Sequence, residues 1–342
     1  MVSYDRARYY SRQTILPELG EAGQERLRRA KVTVVGLGGL GSISTLYLAL
    51  AGIGKLTLVD QDTVEIHNLH RQALYTLEDL MHPKVEVAAR RLATLNPEVQ
   101  IRSIADNVNA ENVDSILYGS DCIVDGLDNM YTRYLLNRYC VKRKIPFIFG
   151  GAIGLEGNVA VLKSPETPCL ECVLPGLEDL HLPTCDTRGI LGATAGVIGA
   201  LQALETIKIL AATSQKVESK LMIFDFYQSD FHTIEIHIRE DCPVCQIQGK
   251  AAPSPRGLAW LCGSNTVNVN PEKPILLELS TIREKISAKH RILLSTPMVI
   301  VFDYDGHEVS LFNKGRMLIK SVSDEREALR LYKEIIEMLG VT

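Results

Sequence analysis

The chain reads as an α/β protein with a largely parallel sheet and helices on both faces, followed by a small α+β domain. Three observations carry that reading. Short apolar runs alternate with helix-length segments from Lys31 to about Ile153, the pattern of successive βαβ units. Beyond them, "GNVAVLK", "KLMIFDFY" and "FHTIEIHI" look antiparallel. The stretch "QIQGKAAPSPRG" then has the Pro, Gly and Ser content of a linker. With 342 residues the chain is longer than one core usually serves. The expected organisation is a first domain over 1–250, a linker at 251–257 and a second domain over 258–342.

Taken in order, "PELGEAGQERLRRA" is expected as an amphipathic opening helix. "KVTVVG" and "KLTLVD" are strands joined by a helix from Gly41 to about Leu50, and a helix around "PKVEVAARRLATL" leads to "QIRSIADNV". The strand "DCIVDGLD", a helix through "MYTRYLLNRYCVKRK" and the strand "IPFIFGGAI" follow. A Gly- and Ala-rich helix, "GATAGVIGALQALETIKIL", lies among the antiparallel strands. The tail holds "NTVNVN", a helix in "LSTIREKISAK", a hairpin in "MVIVFDYDGHEVSLFNKGRMLIK" and a final helix, "DEREALRLYKEIIEML". Asp305-Gly306 between alternating strands supplies the hairpin turn.

Composition excludes several classes. A net charge of −4, with no block of clustered basic residues, gives no support for a nucleic-acid surface. No run of 18 uninterrupted apolar residues argues for a membrane span, and "MVSYDRARYYSRQ" lacks an apolar signal core. A cytoplasmic protein is the expectation. In that compartment the paired spacings among eight cysteines point to metal or to catalysis rather than to disulfides.

"VTVVGLGGLGS" (32–42) runs a strand into G-x-G-x-x-G, with Gly36, Gly38 and Gly41 as its fingerprint and Gly39 between them. Such a loop lets backbone N–H groups and a helix N-terminus approach phosphate oxygens. Asp60 closes the next strand, 19 residues after Gly41, where a carboxylate accepts hydrogen bonds from ribose. These features specify an adenine nucleotide without choosing between NAD, FAD and ATP. The surrounding residues choose. "DQDTVEIHNLHRQ" places Asn68 and Arg71 near the phosphate end, "HPKVEVAARR" offers Lys84 before a helix, and "VDGLDN" ends a strand with Asp125 and Asp128. Cations to neutralise phosphates and a carboxylate to carry magnesium suit a triphosphate better than a hydride donor.

"YSRQTILPELGEAGQERLRRAKVTVVGLGGLGS", "LVDQDTVEIHNLHRQ", "VDGLDN" and "PTC" resemble the MoeB/ThiF/HesA family, prokaryotic relatives of ubiquitin-activating enzymes, over about residues 7–250. The resemblance implies a Rossmann-like mixed eight-stranded sheet in a homodimeric adenylyltransferase. Such an enzyme uses ATP to adenylate the C-terminal glycine of a small ubiquitin-like (β-grasp) protein ending in Gly-Gly, releasing pyrophosphate. It implies that the glycine loop, Asp60 and Asp62 hold the nucleotide and that Asn68, Arg71 and Lys84 contact its phosphates. Asp128 then holds Mg2+, and Arg12, in "SRQ", reaches the triphosphate from the partner subunit. No general base is required, because the attacking carboxylate is already an anion, so His67 and His70 read as loop residues.

Cys169-x-x-Cys172 and Cys242-x-x-Cys245 can close a tetrahedral Zn2+ site, and the family carries a structural zinc at these positions; redox dithiols are the other reading. Cys185, in "HLPTCDTRGILG", matches a cysteine that in some relatives forms a thioester, persulfide or acyl-disulfide with the carrier. Arg188 and the helix beyond it are expected to favour its thiolate. Cys122, Cys140 and Cys262 are expected to be buried. Many relatives end in a rhodanese domain, which nothing from 253 to 342 resembles, so sulfur would come from another protein or through Cys185. The tail reads either as a packing or dimer-supporting appendage or as a docking surface for the carrier, a sulfur donor or a conjugating partner. Two other classes remain: a nucleotide-binding oxidoreductase, which has only the glycine fingerprint in its favour, and a non-catalytic scaffold, which would be free to lose Arg12, Asn68, Arg71, Lys84 or Asp128.

Overall fold

Strands β1 (Lys31–Val35) and β2 (Lys55–Val59) are apolar, β-branched runs buried after their first residue, as central parallel strands must be. They belong to a computed structural model that describes residues 4–179, 182, 185–212, 217–245, 258–261, 266–271 and 275–341. Of Cys185, Asp186 and 258–261 it describes the backbone alone. The expected linker at 251–257 and Cys262 lie outside the described residues.

The first sheet adds β3 (Gln100–Ile104), β4 (Cys122–Asp125), β5 (Phe147–Ile153), β6 (Glu156–Leu162), β7 (Lys220–Asp225) and β8 (Asp230–Glu235). Its order is β3-β2-β1-β4-β5-β6-β7-β8, the mixed eight-stranded sheet expected. Pairings from β3 through to β5 are parallel, and those from β5 to β8 antiparallel. The strand order turns back at β1, which pairs β2 on one side and β4 on the other. That switch point opens a crevice at the carboxyl ends of β1 and β4, where ligands bind in such sheets.

Helix Gly39–Ala51 leaves β1 directly and stops at Gly52, whose φ of 86° supplies the left-handed cap. It packs against Gly192–Ala211, a helix long and apolar enough to cross a membrane by length and composition. That helix also packs on β5 and β6. Its Gln202 amide is buried and donates to the Asp125 and Ile148 carbonyls, tying it into the core. A short helix at Val113–Leu117 has no counterpart in the sequence reading.

The tail is richer than a hairpin. Strands β9 (Leu258–Leu261), β10 (Thr266–Val269), β11 (Ile292–Ser295), β12 (Val299–Tyr304), β13 (His307–Phe312) and β14 (Met317–Lys320) form one antiparallel sheet, ordered β11-β12-β13-β14-β10-β9. The predicted turn is present, with Asp305 and Gly306 both at positive φ, as a two-residue type I′ loop requires. Alternation along β12 decides what each face meets. Ile300 and Phe302 pack under helices Leu279–Ser287 and Glu325–Leu339, whereas Val299 and Val301, with Phe312 and Leu318, pack with Met81 and Ala105 of the first domain.

Candidate nucleotide site and cysteine cluster

The glycine loop is built by close approach of backbones. A Cβ on Gly41 would meet the Gly36 carbonyl oxygen at 1.8 Å, and one on Gly36 would meet the Gly126 oxygen at 2.5 Å. Glycine is therefore required where the ends of β1 and β4 press together. Helix Gly39–Ala51 begins at Gly38 with no side-chain cap, which leaves its first-turn N–H groups directed into the crevice.

Asp60, at the end of β2, is buried and holds this loop. Its Oδ2 accepts the Leu37 N–H at 2.6 Å and its Oδ1 the Asp62 N–H at 2.7 Å. Burial pushes its carboxyl up to about 6, against the pull of Lys84. Lys84, buried at the first turn of helix Lys84–Leu95, places Nζ 2.9 Å from Asp62 Oδ2. Burial works against the ammonium, but Asp62 and Asp60, with Asp128 beyond, more than offset it and hold the proton on. Asp128 is exposed two residues past Gly126, with the Asn129 amide 3.5 Å from its carboxylate.

The loop 61–72 closes the other side. Asn68 is buried in the turn Ile66–Asn68. Arg71 donates to the His67 carbonyl at 2.7 Å and lies 2.8 Å from His70 Nε2, while its side chain runs beside Gly39. Gln72 was not singled out from the sequence, yet its amide faces Gly38, and its Oε1 is buried without a partner among the described residues. Asp62 Oδ1 is a second such acceptor. Two unpaired buried acceptors beside a phosphate cradle suit a ligand that brings hydrogen-bond donors, as the sugar and base of a nucleotide do.

Two sequence-marked residues lie apart. Asp125 is fully buried and serves the scaffold: it pairs with Arg133 at 3.0 Å and accepts the Leu127 N–H. Arg12 is exposed on helix Ser11–Thr14. Its neighbour Gln13 bonds Gln24 and the Ala51 carbonyl, at the opposite end of helix Gly39–Ala51 from the glycine loop. Within one chain Arg12 does not join the other cations.

The four paired cysteines converge. Sγ separations are 3.9 Å for Cys169–Cys172, 3.6 Å for Cys169–Cys242 and 3.3 Å for Cys172–Cys245, and all four sulfurs lie within 4.8 Å of one another. A tetrahedron with Zn–S bonds of about 2.3 Å has edges of about 3.8 Å, so the donor set fits a zinc-sized tetrahedral ion. Cys122 and Cys140 are buried, as expected. Cys185 opens the single helical turn Cys185–Arg188, and its thiol lies outside the described atoms. Arg188 pairs with both carboxylate oxygens of Glu156, and its relation to the Cys185 thiol lies outside the described atoms.

The chain is similar to known proteins. Over 238 residues the chain is 43% identical to the adenylyltransferase and sulfurtransferase MOCS3 of Culex quinquefasciatus, a match covering 69% of this chain and 54% of that protein. The chain thus spans about half the length of that relative. It is 31% identical over 334 residues to the sulfur carrier protein ThiS adenylyltransferase of Bacillus subtilis, covering 96% of this chain and 98% of that one. The crystal structure of E. coli MccB with ATP matches with a TM-score of 0.58 at 25% identity, over 66% of this chain and 68% of that one. Residues 10–244 match the ThiF family model, more than half of the chain, and the protein belongs to the ThiF family.

Proposed function

We propose that the protein uses ATP to adenylate the C-terminal glycine carboxylate of a small ubiquitin-like carrier protein. The observation that carries this reading is the gathering of Lys84, Arg71 and Asp128 around the glycine loop at the switch point of the sheet. The names of the relatives and the ATP of the MccB structure support it.

In this reading the first-turn N–H groups of helix Gly39–Ala51, with Asn68 and Arg71, bind phosphate oxygens. Asp60 and Asp62 receive the ribose hydroxyls. Lys84 offsets the charge that develops at the α-phosphate as the carrier's carboxylate attacks and pyrophosphate departs. Asp128 is assigned to magnesium, which would neutralise phosphate charge when bound. Arg12 serves the site of a partner subunit. Tyr47, Val197 and Leu204, exposed on two helices that pack together, support a homodimer. The cysteine cluster is assigned to zinc in a structural role, since four thiolates leave no open coordination position. Cys185 is assigned the onward step, in which its thiolate displaces AMP from the acyl-adenylate to give a thioester. The free thiols suit a cytoplasmic protein.

ATP–pyrophosphate exchange tests the reading. Exchange is expected only when a β-grasp protein ending in Gly-Gly is present. Binding or turnover of a nicotinamide dinucleotide, with no exchange, would overturn it.

A further inference from the structure

Arg316 is 2% exposed, an unusual burial for a guanidinium. It precedes β14 in the smaller sheet, yet it reaches into the first domain. One terminal nitrogen donates to the Gln61 carbonyl at 2.8 Å and the Ala105 carbonyl at 3.3 Å. The other donates to Asn268 Oδ1 at 3.0 Å, and the group lies 3.7 Å over the Phe312 ring. Burial drags the guanidinium down to about 10, while Asp106, Asp62 and Asp60 pull it back. Two lysines of the same segment flank it. Lys314 pairs with Asp106 at 2.8 Å, and Lys320 bridges Glu65 at 3.2 Å and Glu308 at 2.8 Å.

What these cations hold is specific. Gln61 lies between Asp60 and Asp62, and Ala105 follows β3 on the neighbouring strand. The loop beginning at Gln61 also carries Asn68 and Arg71. Apolar residues would pack the same interface without desolvating a cation. The guanidinium instead holds both backbone carbonyls and Asn268 at once.

We propose that Arg316 is a positioning residue for the nucleotide: by fixing the carbonyls that follow β2 and β3, it sets Asp60 and Asp62 for the ribose, so that the C-terminal domain tunes ATP affinity. The proposal rests on the ATP reading above and deepens it.

Equilibrium binding of ATP and of 2′,3′-dideoxy-ATP to the full chain, with magnesium, tests it. The wild type is expected to prefer ATP. In Arg316→Met the Kd for ATP rises about tenfold, as for loss of charge-assisted hydrogen bonds, and that for the dideoxy analogue rises much less. The preference therefore collapses, and the loss in exchange falls on KM for ATP rather than on kcat. Arg316→Lys recovers part of it. A folded Arg316→Met that keeps the wild-type ratio between the two nucleotides overturns the proposal. Should Arg316→Met fail to fold, Arg316→Lys, whose shorter ammonium cannot span Asn268 and both carbonyls as the guanidinium does, carries the same comparison: a reduced ratio supports the proposal and an unchanged ratio overturns it. A wild-type chain that binds neither nucleotide removes the ATP reading and this inference with it, whereas an unchanged ratio in the variants removes the inference alone.

Discussion

Lys84 Nζ and Asp62 Oδ2 lie 2.9 Å apart in a lopsided ion pair, the lysine side chain 5% exposed and the carboxylate 34%. The cation is thus committed to the interior, between Asp62 and buried Asp60, with Asp128 adding to the same field. Lys84→Met takes the nearest counter-charge from those carboxylates. Unfolding free energy is expected to fall by about 2 kcal/mol, less than for a wholly buried pair because water still reaches Asp62. Exchange should disappear. Adding Asp62→Asn restores the stability but not the exchange, as read by urea denaturation beside the activity assay. A double variant as unstable as the single one would mean that this pair does not set the cost.

Asp60 gives the site a pH dependence with a definite sign. Its carboxyl is raised by burial from an ordinary 3.8 to about 6. The protonated form therefore favours the unliganded fold, a contribution complete below about pH 4 and lost as pH rises through about 6. Ribose hydroxyls need the ionised acceptor, so binding should follow the opposite course. ATP affinity is expected to hold above about pH 6.5 and to fall below about pH 6, approaching tenfold per unit. Asp60→Asn should flatten the profile. Titration calorimetry across pH 5 to 8 measures this, and a flat wild-type profile would remove Asp60 from the ribose.

The cysteine cluster should hold one zinc per chain. Its ligands come from two segments, 169–172 and 242–245, so the ion would pin the stretch after β8 back to the segment that follows β6. Removal by a strong chelator, or Cys172→Ser, is expected to lower the melting temperature by about 10 °C or more, given that structural zinc contributes roughly 10 kcal/mol where folding depends on it. Metal analysis and calorimetry check it. Zinc-free protein with an unchanged melting temperature would leave the thiols without a structural role.

The parts of the site that lie on the main chain's own punctuation were legible in the sequence. Gly36, Gly41 and Asp60 announce themselves because a glycine pattern at a strand end and an acid at the next strand end have one joint meaning. The C-x-x-C spacing of the paired cysteines is similarly local. What could not be read is what only packing creates. Arg316 meets Gln61 from 255 residues away, and nothing in "NKGRMLIK" marks that arginine from its neighbours. The hairpin grew into a six-stranded sheet because β9, β10 and β11 are four-residue strands, too short to show an alternating pattern.

Arg12 and Asp128 make the sharpest prediction, because the fold keeps them apart within one chain. The helix bearing Arg12 is anchored at Ala51, and helix Gly39–Ala51 is about 20 Å long. Asp128, exposed beside the other end, can be replaced without disturbing the core. Arg12→Ala and Asp128→Ala are each expected to lower kcat for exchange by roughly a hundredfold or more, with melting temperatures unchanged. In a two-fold dimer whose sites each borrow Arg12 from the partner, co-refolding the two inactive variants in equal amounts makes half the dimers mixed. Each mixed dimer then holds one intact site and one doubly defective site. Activity should return to about a quarter of the wild-type value, and only after subunits have been exchanged. No recovery after verified exchange would mean that one chain supplies both residues to its own site, or that Arg12 serves none, since a site assembled within one chain cannot be rescued by mixing.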